Sequence, residues 1–235
     1  MRVVSLVPSA TETLVALGVR PVAVTRFCDR PDLPAVGGTK NPDVRAIVAL
    51  APDVVVVNDE ENRLQDAEAL RAAGLALHAI SPRSVEDVGP EVRALAERVD
   101  RPVPSPFGAG EWDDWLASTL TPRWWDAFVP VWKHPWMSLG TETYAASLLD
   151  LLGIGNVFAD SLLRYPEVDL AEVAARAPSV ILLPSEPYPF GPRHVAEVRA
   201  RVPGVPVALV DGRDLFWWGI RTPAAAARLR AAISR

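Results

Sequence analysis

The sequence predicts an α/β fold of two lobes, each built around a parallel sheet. Short β-branched runs alternate with alanine-rich and leucine-rich helical patterns along the 235 residues. The runs are apolar over their whole length, which is typical of parallel strands that helices cover on both faces. The second half of the chain also repeats the first, which indicates two lobes of common plan.

Strands and helices alternate throughout the predicted order. The expected strands are 3–7, 22–24, 54–57, 75–80, 127–131, 180–183 and 207–210. The expected helices are 10–17, 44–50, 64–73, 84–99, 111–120, 141–152, 170–177, 193–201 and 223–233. Because ligands of open α/β sheets gather at the carboxyl ends of the strands, we expect a ligand cleft between the two lobes.

The internal repeat is clearest around two apolar strands. Residues 43–60 return as residues 169–186, so that Glu60 matches Glu186 at an offset of 126. A proline and glycine cluster over 101–110 interrupts the helical pattern between the halves. The predicted domains are an N-terminal lobe over 1–100, a linker and connecting helix over 101–125, and a C-terminal lobe over 126–235.

Composition excludes several classes of function. The formal net charge of −5 lacks the basic excess that nucleic-acid binding requires, so we expect no nucleic-acid partner. Cys28 is the single cysteine and is expected to be buried rather than nucleophilic, and three scattered histidines show no zinc-ligand spacing. The apolar run after Met1 is too short for a signal segment or a membrane span. We expect a cytoplasmic protein without membrane insertion, or a periplasmic or cell-surface one if a leader preceded this sequence.

Two glutamates follow matching strands of the two halves. Glu60 and Glu186 both lie just past a carboxyl end, so the predicted cleft could bring them face to face. Such a pair could hold a cation or a basic group, or share acid–base chemistry in an enzyme. Alternatively, both are solvated loop residues. Direct metal binding by these glutamates together with His134 is a further alternative.

The start of the sixth predicted helix is rich in aromatic residues. Trp132, His134 and Trp136 precede it and Tyr144 lies within it. Because a helix N-terminus can receive a ligand oxygen, we expect Trp136 and Tyr144 to contact the ligand. Trp132 is expected to pack as part of a hydrophobic staple, with Thr141 as the helix cap.

Two further aromatic groups stand in turns, where burial is not automatic. Tyr188 and Phe190 follow the sixth predicted strand, and Trp217 and Trp218 precede Arg221. Exposed aromatic residues near an arginine usually indicate binding. Arg221 either pairs with an anionic ligand or stacks on a ring, or it forms a salt bridge to a carboxylate of the other lobe.

Four stretches carry a family resemblance: RVVSLVPSATET over 2–13, IVALAPD over 47–53, LGIGNVF over 152–158 and RAP over 176–178. They resemble the helical-backbone (class III, TroA-like) periplasmic solute-binding proteins, which are the ABC-transporter receptors for cobalamin, ferric siderophores and haem. The chain looks most similar to the cobalamin branch. The resemblance implies two Rossmann-like lobes joined by a long connecting helix, little hinge motion and a shallow ligand cleft.

The chain departs from that family at two kinds of position. Receptors of this class carry one glutamate per lobe that docks on arginines of the membrane permease, and the matching positions here are Arg45 and Ala171. Two aromatic positions that cradle cobalamin in the family align with Thr39 and Asn58, whereas Phe27 keeps its ring.

Together these observations predict a non-catalytic solute-binding protein for a corrinoid, a siderophore-like metal chelate or a similar ligand, with no required cofactor and an ABC permease as candidate partner. The predicted ligand-binding residues are Phe27, Asn58 and Glu60 in the first lobe and Trp136, Tyr144, Glu186, Tyr188, Trp217, Trp218 and Arg221 in the second. Two alternatives stay open. One is a cytoplasmic storage or sensor protein without a permease, and the other is an enzyme or metal site that uses Glu60 and Glu186.

Overall fold

The computed structural model describes residues 1–233, which divide into two compact units. The first unit contains Met1–Pro82, Asp87–Trp112 and Trp218–Arg221, and the second contains Arg83–Glu86, Asp113–Trp217 and the chain from Thr222 on. These boundaries differ from the predicted ones at 100 and 126. The predicted linker is divided between the units after Trp112.

The first unit is a parallel sheet with helices around it. Its elements are β1 (Val3–Ser5), α1 (Pro8–Ala16), β2 (Ala23–Val24), β3 (Gly37–Gly38), β4 (Asn41–Pro42), α2 (Val44–Ala49), β5 (Val54–Val57), α3 (Leu64–Ala72), β6 (Leu77–Ala79) and most of α4 (Val85–Arg98). The sheet order is β2-β1-β5-β6 with every pair parallel, and β3 and β4 form a separate antiparallel hairpin. All residues of β1 and β5 are buried, as expected for strands covered on both faces.

Two buried aromatic rings explain why the proline-rich segment after α4 belongs to the first unit. Phe107 and Trp112 stack with their ring centroids 5.0 Å apart, and both are almost completely buried. A Cβ at Gly89 would lie 2.4 Å from the Trp112 ring, so this glycine of α4 lets the indole rest on the helix backbone. The Arg93 side chain also donates to the Phe107 carbonyl at 2.8 Å. The segment is therefore packed against α4 rather than extended as a linker.

The second unit contains most of α5 (Glu111–Thr119). Its elements are β7 (Trp125–Phe128), β8 (Pro130–Trp132), β9 (Met137–Ser138), α6 (Tyr144–Leu151), β10 (Ile154–Asn156), α7 (Leu170–Ala175), β11 (Val180–Pro184), α8 (Pro192–Arg201), β12 (Val207–Val210), α9 (Gly212–Phe216) and α10 (Thr222–Ile233). The parallel sheet has the order β10-β7-β11-β12, and β8 and β9 form an antiparallel hairpin. Phe128, Phe158 and Leu183 lie in its core.

The strand orders confirm the predicted repeat. In each unit the first parallel strand lies between the second on one side and the third and fourth on the other. Helices α2 and α7 begin 126 residues apart at Val44 and Leu170. Each is capped by an aspartate, because Asp43 and Asp169 accept a first-turn N–H at 3.0 Å and 2.7 Å. The predicted fold class, two lobes with parallel sheets related by a repeat, is confirmed.

The predicted strand over 127–131 is in fact two strands. β7 ends at Phe128 and β8 begins at Pro130. Because Pro130 has no N–H to donate to a parallel ladder, the chain leaves the sheet and pairs with β9 instead. No sequence pattern predicts β10 or α9, since β10 contains one β-branched residue, Ile154, and α9 has only five residues.

The predicted helix over 141–152 begins three residues late, at Tyr144. Thr143 rather than Thr141 caps it by accepting the N–H of Ala146 at 3.3 Å. Thr141 donates instead to the carbonyl of Ser161 at 3.0 Å. The expectation that Thr141 caps α6 is therefore corrected.

Helices α4 and α5 each contribute residues to both units. α4 has 14 residues and changes unit after Glu86, and α5 has nine and changes unit after Trp112. The predicted connecting helix corresponds to α5, and α4 is the longer of the two. Among residues 1–233, no helix combines the length and the hydropathy needed to cross a bilayer.

Candidate functional site

A buried asparagine organises the carboxyl ends of the strands in the first unit. The Asn62 side chain donates to the carbonyls of Leu6 at 3.3 Å and Thr39 at 2.9 Å. Its carbonyl oxygen accepts the N–H of Asn58 at 2.8 Å. Asn62 therefore joins the residue after β1, the β3–β4 hairpin and the turn after β5, and nothing in the sequence pattern singles it out.

Asn58, a predicted ligand contact, is buried inside the same turn. Its side-chain amide donates to the carbonyl of Ile80 at 2.9 Å, and its side-chain oxygen accepts the N–H groups of Glu60 and Glu61 at 2.8 and 3.0 Å. Asn58 shapes the strand-end surface from within, since its amide is occupied by the chain itself.

Phe27 is the ring that the first unit presents to solvent. Its side chain is 54% exposed, and the Arg26 guanidinium lies 5.0 Å from the ring centroid. Glu60 is partly buried, and its backbone carbonyl accepts a hydrogen bond from the Lys40 ammonium. Cys28 is buried as predicted, with its sulfur 3.2 Å from the Thr11 hydroxyl.

Arg221 is held by a carboxylate of α1. Its Nε and Nη2 donate to the two carboxylate oxygens of Glu12 at 2.7 and 3.0 Å, both residues belonging to the first unit. The N–H of Ile220 also donates to the Thr13 hydroxyl at 3.2 Å. Of the alternatives for Arg221, the structure supports a carboxylate partner, which is Glu12 of α1. Trp218, in the same segment, is buried.

The second unit carries a continuous aromatic cluster, which we define as Trp132, Trp136, Tyr188 and Phe190. Trp136 stacks on Phe190 with centroids 5.7 Å apart and planes 8° apart. Tyr188 lies 4.7 Å from Phe190 and meets Trp132 edge-on at 5.4 Å. The cluster joins the β8–β9 hairpin to the loop after β11, and Trp132 is 45% exposed rather than packed as a staple.

A buried histidine supports this aromatic cluster. The His194 ring meets Tyr188 and Phe190 edge-on at 5.6 and 5.3 Å. Its Nδ1 accepts the N–H of Gly191 at 3.0 Å, which caps α8. Burial lowers the pKa of His194, and the nearby positive charges of Arg193 and Lys133 lower it further. The cluster therefore rests on a neutral imidazole.

Lys133 gives one edge of the aromatic cluster a cation. Its ammonium lies 5.4 Å from the Trp136 ring centroid and forms an ion pair with Glu197 of α8. This ion pair ties the β8–β9 hairpin to α8, so the hairpin is fixed as well as exposed.

An arginine that no sequence pattern predicts as a contact, Arg213, lies near two predicted ligand contacts, Glu186 and Trp217. Arg213 Nε lies 3.9 Å from a carboxylate oxygen of Glu186, and its guanidinium lies 5.1 Å from the centroid of a Trp217 ring. A Cβ at Gly212 would lie 2.5 Å from the backbone of Glu186, so glycine permits this close approach of α9. The Asp-Gly turn at the carboxyl end of β12 is the signal that could have identified this position.

Two exposed leucines lie in the loop after β10. Leu162 is 99% exposed, and its neighbour Leu163 is also exposed. The loop is held in place because the Gly140 N–H donates to the Arg164 carbonyl at 2.7 Å. A Cβ at Gly140 would lie 1.9 Å from the Leu163 carbonyl oxygen, so this position requires glycine.

Tyr144 and His134 lie in very different surroundings. Tyr144 is buried, and its hydroxyl is 2.9 Å from the hydroxyl of Thr222, which links α6 to α10. His134 is exposed in the β8–β9 hairpin with a φ of 68°. Within the described part of the chain, no three His, Cys, Asp or Glu side chains form a group suited to a metal ion. The site proposed for Glu60, His134 and Glu186 would draw on both units and stays a prediction.

The two positions that resemble permease-docking sites are equivalent by structure as well as by sequence. Arg45 and Ala171 are the second residues of α2 and α7, and both are exposed. The neighbouring Glu172 pairs with Arg176 at 3.1 Å. Glu60 belongs to the first unit and Glu186 to the second, so the predicted pairing of these carboxylates and the predicted cleft stay predictions.

Comparison with known proteins finds relatives that are named vitamin B12-binding protein. The chain is 27% identical over 195 residues to one from Photorhabdus laumondii, covering 78% of this chain and 70% of that protein. It is 28% identical over 193 residues to one from Yersinia pestis, covering 77% and 69%. No family model matches the chain.

Solved structures of periplasmic binding proteins share the fold. The vitamin B12 binding protein of Vibrio cholerae matches with a TM-score of 0.79 and 21% identity, over 99% of this chain and 96% of that one. A haem-binding protein from Pseudomonas aeruginosa matches with a TM-score of 0.79 and 21% identity, over 98% and 91%. In sequence and fold together, the chain is similar to solute-binding proteins of the helical-backbone (class III, TroA-like) family.

Proposed function

We propose that this protein is a non-catalytic solute-binding protein whose ligand is a planar metal chelate, such as a corrinoid or haem. The observation that carries the proposal is the aromatic cluster of the second unit. Its rings lie at the carboxyl ends of β7 and β11, where ligands of open α/β sheets bind. The relatives named vitamin B12-binding protein support the same class of ligand.

The chemistry of the aromatic cluster suits a flat macrocycle. Indole and phenol rings present large apolar faces that stack against a conjugated ring, and they lose little side-chain entropy on binding. Trp132 is half exposed, and burying its apolar surface under a ligand would be favourable by about 25 cal/mol per Å² of area removed from water. Leu162 and Leu163 add exposed apolar surface at the same end of the sheet. Such a surface favours a large ligand over a small polar one.

The predicted contacts divide according to their surroundings. We propose as ligand contacts the residues that reach the strand-end surfaces, namely Phe27, Glu60, Trp136, Glu186, Tyr188 and Trp217, together with Trp132. We assign to internal packing the four that are buried or held by neighbouring side chains, namely Asn58, Tyr144, Trp218 and Arg221.

The proteins similar to this chain also support proposals about its partner and its compartment. We propose an ABC permease as the partner and the periplasm or cell surface as the site of action, because structural relatives are described as periplasmic. Arg45 and Ala171 leave this chain without carboxylates at the two positions that match the docking glutamates. We therefore expect that the Arg45→Ala variant still docks to a permease in nanodiscs. Loss of docking in this variant would show that Arg45 replaces the glutamate as a docking charge.

Isothermal titration calorimetry tests the proposed function. The protein is titrated with cyanocobalamin, haemin and a ferric hydroxamate siderophore, and native mass spectrometry gives the stoichiometry. We expect one of these to bind with a Kd of about 1 μM or lower, near −8 kcal/mol. Absence of binding at about 100-fold higher concentration for all three would contradict the proposal.

A pair of tryptophans provides a matched test of the aromatic cluster. Trp132 and Trp124 are both 45% exposed and both belong to the second unit, but Trp124 precedes β7 and so lies at the opposite end of that strand. Trp132→Ala should weaken binding about tenfold or more, whereas Trp124→Ala should change it less than about threefold. Equal effects would show that the aromatic cluster is not the binding surface.

A further inference from the structure

Arg26 lies in a fixed turn at the carboxyl end of β2 in the first unit. Its N–H donates to the carbonyl of Gly37 in β3 at 2.9 Å, which ties the turn to the β3–β4 hairpin. The buried Cys28 closes the turn, because its N–H donates to the carbonyl of Thr25 at 3.1 Å. The backbone of Arg26 is therefore held in place, although the residue is exposed.

The side chains of Arg26 and Phe27 both lie against the β3–β4 hairpin. The guanidinium carbon of Arg26 is 5.0 Å from the centroid of the Phe27 ring. A Cβ at Gly38 would lie 3.1 Å from a ring carbon of Phe27 and 3.3 Å from Nη2 of Arg26, so a larger residue there would press on both. A guanidinium that lies against a ring through its face keeps its N–H donors in its own plane, where they match the oxygens of a phosphate or carboxylate.

Arg26 differs from the neighbouring arginines in its partners. Arg20 and Arg30 share the carboxylate of Asp32, at 2.8 and 2.7 Å. Among residues 1–233, the side chain of Arg26 forms no ion pair and no hydrogen bond, and its guanidinium lies over the Phe27 ring instead. An exposed guanidinium of this kind, at the strand ends where ligands of α/β sheets bind, is suited to an anionic group of the ligand.

A second cation lies on the same hairpin. The Lys40 ammonium donates to the backbone carbonyl of Glu60, which is a neutral acceptor, so this cation reaches the turn after β5. That turn also carries the carboxylates of Asp59, Glu60 and Glu61, which oppose the charge of Lys40. An oxyanion is therefore expected on the other side of the hairpin, beside β2, where the guanidinium lies.

We propose that Arg26 recognises an oxyanion carried by the planar ligand, while Phe27 supports the guanidinium. The inference rests on the proposed function and adds a specificity determinant to it. Two sources of the oxyanion share this chemistry: the phosphodiester in the nucleotide loop of a cobalamin and the propionate carboxylates of haem. Because the guanidinium is exposed, its hydrogen bonds to the oxyanion should favour the charged ligand only about tenfold.

Matched ligand pairs test this recognition directly. Cyanocobalamin is compared with dicyanocobinamide, which keeps the corrin ring and lacks the phosphodiester, and haemin is compared with its dimethyl ester. Arg26→Met keeps an apolar side chain of similar length beside Phe27 and removes the charge and the donors. It should weaken binding of the oxyanion-bearing member of the bound pair about tenfold, and binding of the other member less than about threefold.

Two further variants sharpen the test. Arg71→Met removes an exposed arginine from the last turn of α3, at the opposite end of the first sheet, and is the control for loss of net positive charge. It should change the affinity for either member less than about twofold. Lys40→Met should weaken binding of the oxyanion-bearing member less than Arg26→Met does, by about threefold. Thermal unfolding by circular dichroism establishes that each variant is folded.

The outcomes separate this inference from the proposed function. Selective loss in Arg26→Met, with little change in Arg71→Met, supports oxyanion recognition by Arg26. Equal loss for both members of a pair, no loss for either, or a larger loss in Lys40→Met would overturn that role while leaving solute binding intact. If the unaltered protein binds none of the four compounds, both the proposed function and the role of Arg26 are overturned.

Discussion

The two units share one strand order but differ in what stands at the carboxyl ends of their strands. In the first unit the turns are joined by the buried amides of Asn58 and Asn62, and Phe27 is the exposed ring there. In the second unit the corresponding loops carry the aromatic cluster and the Arg213–Trp217 pair. A repeated framework can therefore fix the strands while the loops after them diverge, as expected when function lies in loops.

The largest effect is expected from Asn62→Ala in the first unit. It removes three side-chain hydrogen bonds and leaves buried backbone groups without partners, so the free energy of unfolding should fall by about 3 kcal/mol. Urea unfolding measures this change. Asn41→Ala, in the exposed part of the β3–β4 hairpin, should change it by less than about 0.5 kcal/mol. A fully stable Asn62→Ala protein that no longer binds ligand would instead give Asn62 a binding role.

A smaller effect is expected on the affinity for the ligand. It should be larger for a substitution in the second unit than for one in the first. Tyr188→Ala removes the ring that joins Trp132 to Phe190, and should weaken ligand binding by about 2 kcal/mol, roughly 30-fold. Phe27→Ala removes a ring that contacts mainly Arg26, and should weaken binding less than about fivefold. Calorimetry with the same ligand compares them. A larger loss in Phe27→Ala would reverse the assignment of the binding surface.

Each unit contains a carboxylate–arginine pair, and the two carboxylates differ in exposure. Asp214 is buried beside Arg228, whereas Glu12 is about a third exposed beside Arg221. Because removing one partner leaves the other charge without compensation, Arg228→Met, which leaves the buried Asp214, should lower the free energy of unfolding by about 3 kcal/mol. Arg221→Met, which leaves the partly exposed Glu12, should lower it by about 1 kcal/mol. Double-mutant cycles with Asp214→Asn and Glu12→Gln isolate each coupling energy. Equal couplings would show that burial does not set the difference.

The smallest effect is a pH dependence of stability. Burial lowers the pKa of His194 below its ordinary value of 6.5, so the folded state favours the neutral ring. Its contribution to stability is complete above pH 6.5 and is lost as the pH falls below that value, because the unfolded chain then binds more protons. His194→Phe should reduce this slope in thermal melts between pH 7 and 5. His78 in the first unit, whose pKa burial also lowers, should contribute to the slope that persists.

The sequence predicts the framework well because its apolar runs are decisive. β5, β11 and β12 begin at the predicted residues, since runs of valine, isoleucine and leucine bounded by turn residues leave few alternatives. The repeat predicts the equivalence of α2 and α7 as well. β10 is not predicted because its residues Ile154–Asn156 have no alternating or continuous apolar pattern.

The site is predicted less completely, because side-chain partners depend on distant parts of the chain. Arg221 pairs with Glu12, 209 residues away, so the sequence cannot choose between a ligand and a carboxylate. Tyr144 is predicted as a ligand contact because it lies near a helix start expected at residue 141, whereas α6 begins at Tyr144 itself and the phenol hydroxyl lies 2.9 Å from the Thr222 hydroxyl. Arg213 lies in α9, whose five residues are too few for a helical pattern, so its stacking on Trp217 becomes visible only in three dimensions.

Hydrogen–deuterium exchange with and without bound ligand is the most direct test of the binding surface. It uses whichever of cyanocobalamin and haemin binds the unaltered protein. We expect slower exchange in the β8–β9 hairpin over 130–138 and in the loop over 185–191, which together carry the aromatic cluster. Protection confined to residues 120–124, at the other end of the second sheet, would contradict the assignment of ligand binding to the aromatic cluster.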